Sequence, residues 1–170
     1  ALAGIHDVDH ATHADIEDAR VPDVTGGALP GVARGIAYRA VRNRGTIGGS
    51  LAHADPAADW VASLAAVGAE VMIRGPAGQR KLAIGDFVTG VFEVALDPGE
   101  LIEAVRIPRL SRSARWGFCK ICRKTGELAQ AIAAVLHDPE RSVFRAVIGA
   151  TESIPIVLAD AATLFSGAAS

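Results

Sequence analysis

Between Asn43 and Ser50 the chain reads Asn-Arg-Gly-Thr-Ile-Gly-Gly-Ser, and Gly45, Gly48 and Gly49 mark a place where the backbone turns sharply and lies bare. On its N-terminal side, Val32, Ile36, Ala37, Ala40 and Val41 recur at helical spacing from Gly27 to Arg42, with Arg34, Arg39 and Arg42 between them. On the other side, Asp55-Pro56 reads as a helix start, with Asp as the N-cap and Pro at the first helical position. Trp60, Val61, Leu64, Ala65 and Val67 would give that helix its buried face, and Gly68 would stop it. The expectation is a bend between two helices. Successive N–H groups in such a bend converge on an anion, and the missing Cβ atoms of Gly48 and Gly49 let a phosphate approach. Thr46 and Ser50 add hydroxyls at either end. The run is neither a Walker A loop nor Gly-x-Gly-x-x-Gly after a strand. Taken alone, it also fits a plain tight turn.

Composition narrows the setting. Of 170 residues, 50% are apolar and 21% charged, with a net charge of −2, which excludes intrinsic disorder. The same balance gives no electrostatic argument for nucleic acid or an anionic membrane surface. The longest apolar stretches, such as Ala129–Leu136, fall far short of the ~20 residues of a bilayer span. Residues 1–20, with His6, His10, His13 and several acids, do not read as a secretory leader. Cys119 and Cys122 are too few for a disulfide framework. A soluble, cytoplasmic protein is expected.

Past Gly68 the period changes. Glu70–Arg74 and Arg80–Ile84 flank Gly75, Pro76 and Gly78 and predict a hairpin. Ile84–Val88 reads as a brief helical turn, and Glu100–Ile107 as a strand ended by Pro108. The polar run Arg109–Arg115 is the candidate boundary between a domain over 1–108 and another over 109–170. Trp116–Arg123, Ala129–Leu136 and Val143–Ala150 read as a strand meander, with a closing helix over Ile156–Phe165. This order favours α+β: a sheet with flanking helices, then a small β-meander plus helix.

Several residues carry two readings. Cys119-Lys120-Ile121-Cys122 lacks the further ligands of a zinc site and lies in a strand, so simple packing is expected. His6, His10 and His13 could share a helical face and bind metal, but with Asp7, Asp9 and Asp15 beside them a solvated terminus is the plainer reading. Asp15, Glu17 and Asp18 read as a solvated helical face. Asp59 suits either dipole compensation in a first helical turn or a ligand contact. Arg42 and Arg44 are either phosphate contacts or solvated charges, and Lys120 is by default a surface lysine. No nucleophile–base constellation and no metal site is expected, and no catalytic residue is assigned.

The segment Val41–Asp59 resembles the FAD-binding signature of the flavoprotein subunits of molybdenum hydroxylases, the xanthine dehydrogenase and aerobic carbon monoxide dehydrogenase type. Thr12-His13-Ala14-Asp15-Ile16-Glu17 is similar to the family's Thr-x-His-x-x-Ile step. Asp97-Pro98-Gly99-Glu100-Leu101-Ile102, running on to Ile107-Pro108, is similar to its domain-joining strand. Phe118-x-Lys120-x-x-Arg123-Lys124-x-Gly126-Glu127 is similar to the opening of its C-terminal domain. The resemblance implies an FAD-binding electron-transfer subunit that collects electrons from iron–sulfur clusters and passes them to an external acceptor. A molybdopterin-binding large subunit and a 2Fe-2S small subunit would complete a hetero-oligomer. It further implies that Thr46, Ile47, Gly48, Gly49 and Ser50 hold the FAD pyrophosphate and Asp59 its sugar or ribityl hydroxyls. Ile36 and Ile102 would pack on the rings, and Lys120 would lie at the pyrimidine edge of the isoalloxazine. The family's second glycine-rich loop has no counterpart in residues 1–31, and Glu127-Leu128 stands where the family commonly has Asp and an aromatic. The expectation is therefore an incomplete subunit that binds FAD weakly by itself. A flavin-free docking or assembly module, or another nucleotide-binding protein using the same loop, is the alternative.

Overall fold

The structure, a computed structural model, describes residues 5–8 and 11–165. Strand β1 (Ile5–Val8) is followed by helices α1 (His13–Glu17), α2 (Ala28–Arg34), α3 (Arg39–Arg42), α4 (Ile47–His53) and α5 (Asp59–Val67). The hairpin β2 (Glu70–Gly75) and β3 (Gly78–Ala83) leads to α6 (Ile84–Phe87), the ribbon β4 (Val88–Gly90) and β5 (Glu93–Val94), and β6 (Leu101–Pro108). Strands β7 (Arg115–Ile121), β8 (Ala131–Asp138), β9 (Val143–Gly149) and β10 (Ile156–Leu158) follow, with α7 (Ala162–Phe165) last.

Among the described residues these form two four-stranded antiparallel sheets, ordered β1-β6-β2-β3 and β10-β9-β8-β7, besides the β4-β5 ribbon. In the first, Val71 pairs with both Leu82 and Val105; in the second, Ala134 pairs with both Phe118 and Val147. Burial alternates along β8, as a strand with one covered face requires. What covers it is α5, whose nine residues are all buried. Buried on every side, α5 lies against β8 and β9 so closely that a Cβ on Gly149 would meet the Ala62 Cβ at 2.8 Å. Trp60 and Leu64 join Val71, Val105 and Ile107 to Ile132, Ala134 and Val147 in one continuous core. The α+β class is as expected, and so are the hairpin, the helical turn at α6, the strand ending at Pro108 and the three-strand meander.

Three expectations fail for identifiable reasons, and the set-aside alternative of a histidine face fails with them. The helix over Gly27–Arg42 is broken after Arg34: Ala37 adopts a left-handed φ of 39°, and α3 restarts at Arg39. Asp55-Pro56 does not start the next helix. Its carboxylate accepts from the Ala57 amide at 2.9 Å to close a tight turn, and α5 begins at Asp59 after Ala58. The closing segment starts as a strand, because Ile156–Leu158 pairs with β9, and only α7 is helical. The three histidines share no helical face: His6 lies in β1, His13 in α1, and His10 is outside the described residues.

Candidate functional site

The glycine run is a helix start rather than a free bend. Thr46 is extended, and its Oγ1 accepts from the Gly49 amide at 3.0 Å, the N-cap contact that opens α4. Gly48 and Gly49 each weaken a helix by about 0.8–1 kcal/mol relative to alanine. The cap offsets part of that, and Ile47 and Leu51, four residues apart and 1% and 0% exposed, anchor the turn in the core. Ile47 can therefore offer a ligand only its backbone. Gly49 is exposed, and Thr46, Gly48 and Ser50 are half-buried, so the first turn is open to an approaching group. The Gly48 amide meets no acceptor among the described residues. A Cβ on Gly48 would lie 3.9 Å from the Ile102 Cγ2, which places this side chain of β6 beside the glycines.

Beneath the turn sits His13. Its amide donates to the Gly45 carbonyl at 2.8 Å, and the Trp60 Nε1 donates to its Nδ1 at 3.1 Å. Burial, with the Arg42 charge second, lowers its pKa to about 4, so the ring is neutral and carries its proton on Nε2. A Cβ on Gly45 would stand 2.7 Å from that nitrogen, which is why a glycine is needed there. The solvated-terminus reading of His13 is thus corrected: it is 5% exposed. Glu17 and Asp18 are not merely solvated either, since Glu17 pairs with Arg39 at 3.0 Å and with Arg42 at 2.7 Å, and Asp18 also pairs with Arg39.

Arg42 is not a free, solvated charge. Besides Glu17, it donates to the carbonyls of Ile36 (2.8 Å) and Ala37 (3.1 Å), the groups orphaned where the helix breaks. The third such carbonyl, Gly35, accepts from the Lys120 Nζ at 3.0 Å. Lys120 is consequently no surface lysine. Its side chain is 10% exposed and its ammonium lies 2.9 Å from the Asp59 Oδ1, while Asp59 is 6% exposed. The ammonium faces both carboxylate oxygens, with its better-directed hydrogen bond to Oδ2 (3.2 Å), and the buried Oδ1 accepts no other hydrogen bond among the described residues. Burial raises the Asp59 pKa, and the Lys120 hydrogen bond and charge pull it back only in part. Ile36 is half-buried against the core, next to this pair in sequence at Gly35. Arg44 is exposed, with no acid partner among the described residues. Cys119 is exposed and Cys122 half-exposed, so neither is the packed cysteine expected. Among the described residues no cluster of His, Cys, Asp or Glu could hold a metal ion, and no helix is long and apolar enough to cross a membrane.

The structure thus joins Asp59 to Lys120 and Gly48 to Ile102, two groupings built on helix N-termini and facing strands. Residues 9–110 match the family described as the FAD binding domain in molybdopterin dehydrogenase. The chain belongs to this family. FAD is the family's cofactor, as the resemblance of the Val41–Asp59 segment implied. The chain is 35% identical over 144 residues to the carbon monoxide dehydrogenase medium chain of Hydrogenophaga pseudoflava, covering 84% of this chain and 48% of the relative. It is 34% identical to the nicotine 6-hydroxylase medium subunit of Paenarthrobacter nicotinovorans, over 74% of this chain and 44% of that one. Quinoline 2-oxidoreductase from Pseudomonas putida 86 superposes with a TM-score of 0.80 at 34% identity, over 91% of this chain and 55% of that one. These relatives are oxidoreductases, two of them named as a medium chain or medium subunit, and this FAD-binding domain chain spans about half their length.

What sequence reasoning missed was His13 and the Gly35 carbonyl. His13 lies one residue after the α1 cap Thr12, a position facing the glycine segment, but only the fold brings Trp60 to it.

Proposed function

We propose that this chain forms one wall of the FAD site in a molybdenum-containing hydroxylase or dehydrogenase and acts there as an electron-transfer oxidoreductase component. Iron–sulfur clusters of a small subunit would supply the electrons, a molybdopterin-binding large subunit would oxidise the substrate, and an external acceptor would receive them. Asp59 carries the proposal. Its Oδ1 lies 2.9 Å from the Lys120 ammonium but accepts no well-directed hydrogen bond among the described residues, so it has capacity for a further donor, and the ribityl or ribose hydroxyls of FAD are donors of the required kind. The bare first turn of α4 fits the other end of the cofactor: Gly48 and Gly49 carry no Cβ, and the Gly48 amide meets no acceptor among the described residues. The residues present fit the group.

In this reading Thr46, Gly48, Gly49 and Ser50, with the backbone of Ile47, hold the diphosphate. Asp59 accepts from the sugar or ribityl hydroxyls. Ile36 and Ile102 give apolar contact to the rings, and Lys120 holds a positive charge at the pyrimidine edge. FAD, when bound, accepts electrons one at a time and releases them in pairs, and that redox chemistry is the cofactor's own. The protein residues bind, orient and keep the site's charges in place.

The test is a titration of the purified chain with FAD, read by flavin absorbance near ~450 nm and by fluorescence. T46A and D59N should each weaken binding by about tenfold, since a hydrogen bond to a charged group is worth about 1.5–3 kcal/mol. A chain that takes up no added FAD would favour a docking or assembly role, and unchanged affinity in both variants would sink the residue assignment.

A further inference from the structure

We propose that a second site, separate from the glycine helix, binds a small phosphorylated molecule carrying a flat ring, of mononucleotide size. It is the cleft of about 360 Å³ between residues 23–26 and the loop that enters β7, lined by Arg109, Arg112, Arg115 and Trp116. That volume lies within the ~300–1,000 Å³ typical of small-molecule pockets.

The charge is what singles it out. The chain as a whole carries a net charge of −2, and most arginines elsewhere are spoken for: Arg39 and Arg42 pair with Glu17, Arg74 with Glu103, Arg80 with Glu100. Around this cleft the opposite holds. Among the described residues Arg109 and Arg112 have no acidic partner, and Arg115 donates only to the carbonyls of Ser113 (3.2 Å) and Ala114 (3.0 Å). Three exposed arginines line this one concave surface, and planar guanidinium donors suit phosphate oxygens.

The loop presenting them is fixed in advance. Asp138, 0% exposed, accepts from the Ser111 amide at 3.0 Å and the Ser111 Oγ at 2.5 Å. The Leu110 amide donates to the Val24 carbonyl at 2.9 Å, and Ser113 Oγ donates to Glu140 at 2.6 Å. A buried carboxylate spent on holding a surface loop is costly unless the loop's geometry matters. Asp23, the one acid among the described residues lining the cleft, is turned to local use by hydrogen bonds from the Thr25 amide, the Thr25 Oγ1 and the Gly27 amide. Trp116 completes the site. Its Nε1 donates to the Gly26 carbonyl at 3.4 Å, Gly31 is approached so closely that a Cβ would meet the indole at 2.7 Å, and the ring stays 37% exposed, available for stacking.

The experiment uses the intact chain with AMP, adenosine and inorganic phosphate as probes, at low and moderate salt, by calorimetry and tryptophan fluorescence. The chain has two tryptophans, and Trp60 is 1% exposed, so quenching reports Trp116. AMP should bind saturably with a Kd of about 1 mM or tighter. Adenosine should bind at least about tenfold more weakly, because it lacks the charge-assisted bonds. Tighter binding of phosphate than of AMP would remove the ring from the claim and overturn the mononucleotide class. R109Q/R112Q should weaken AMP at least about tenfold while leaving the melting temperature and FAD uptake unchanged. No saturable AMP binding, binding unchanged in R109Q/R112Q, or AMP displaced by saturating FAD would each overturn a separate site.

Discussion

Replacing Lys120 by methionine keeps most of the side chain's bulk, removes a buried cation and strands a buried anion. The two side chains are 10% and 6% exposed, and their charged atoms lie 2.9 Å apart. Two unit charges 4 Å apart at an effective dielectric of 20 attract by about 4 kcal/mol, and removing one member of a buried pair costs about 3–5 kcal/mol. The Gly35 carbonyl loses its donor in the same step. At about 2–4 °C per kcal/mol for a chain of this size, K120M should melt about 6–20 °C below the parent near neutral pH. The deficit also has a pH signature. Burial holds the Asp59 pKa above its ordinary value and Lys120 holds it down, so the substitution raises it further. A carboxyl whose folded pKa exceeds its unfolded one takes up a proton more readily in the folded state, so acidification relieves the folded protein. The K120M deficit is therefore greatest above the folded pKa and shrinks as the pH falls toward the unfolded value of about 3.9. D59N/K120M, which removes the stranded charge, should recover part of the loss and show little of this dependence. Thermal melts of the four proteins of this cycle from about pH 5 to pH 8 measure both effects. A K120M protein within about 2 °C of the parent at neutral pH, or a deficit constant with pH, would refute a buried, energetically coupled pair.

Three further outcomes are expected. G45A places a Cβ 2.7 Å from the His13 Nε2 and 2.8 Å from its Cδ2, so urea unfolding should show a loss of about 1–3 kcal/mol; an unchanged midpoint would mean the helix entry is loose. His13, held to about 4 against 6.5 when free, is protonated on unfolding between those values. Stability should consequently fall as the pH drops through that window, and H13Q should flatten this part of the profile. S111A deprives the buried Asp138 of its hydroxyl donor. It should cost about 1.5–3 kcal/mol in denaturant melts, and a neutral result would show that the Ser111 amide alone holds the loop.

The parts of the fold that could be read from the sequence are those whose determinants lie within a few residues. Alternation along β8, the turn formers of the β2–β3 hairpin and Gly68 as the stop of α5 act over one turn or one strand. The break between α2 and α3 was hidden because its three freed carbonyls are satisfied by side chains, Arg42 from five or six residues away and Lys120 from 85. No local propensity announces that, and the apolar spacing through Gly27–Arg42 stays helical. At Asp55-Pro56 the signal was real but ambiguous, since an aspartate oxygen closes a turn onto the second amide ahead as readily as it caps a helix.

The candidate site divides in the same way. Thr46 and Gly49 make an i to i+3 contact that opens α4, a local cap where the sequence pattern predicts instead one end of a bend between helices. Asp59 and Lys120 were each singled out by family resemblance for a separate contact with the cofactor, yet the fold joins them to each other across 61 residues. That union changes what each residue can do. Lys120 is also the tie that fastens β7 to α5 and to the α2–α3 break, so any group that draws its charge away from Asp59 loosens a structural joint. Asp59 in turn faces the ammonium with both oxygens, 2.9 Å at Oδ1 and 3.2 Å at Oδ2, and only the bond to Oδ2 is well directed. A hydroxyl arriving at Oδ1 completes the arrangement without breaking it, whereas one that replaced the ammonium would not. Ligand binding at Asp59 should therefore raise the melting temperature of the parent and be weakened, without any loss of the hydroxyl's own acceptor, when Lys120 is removed.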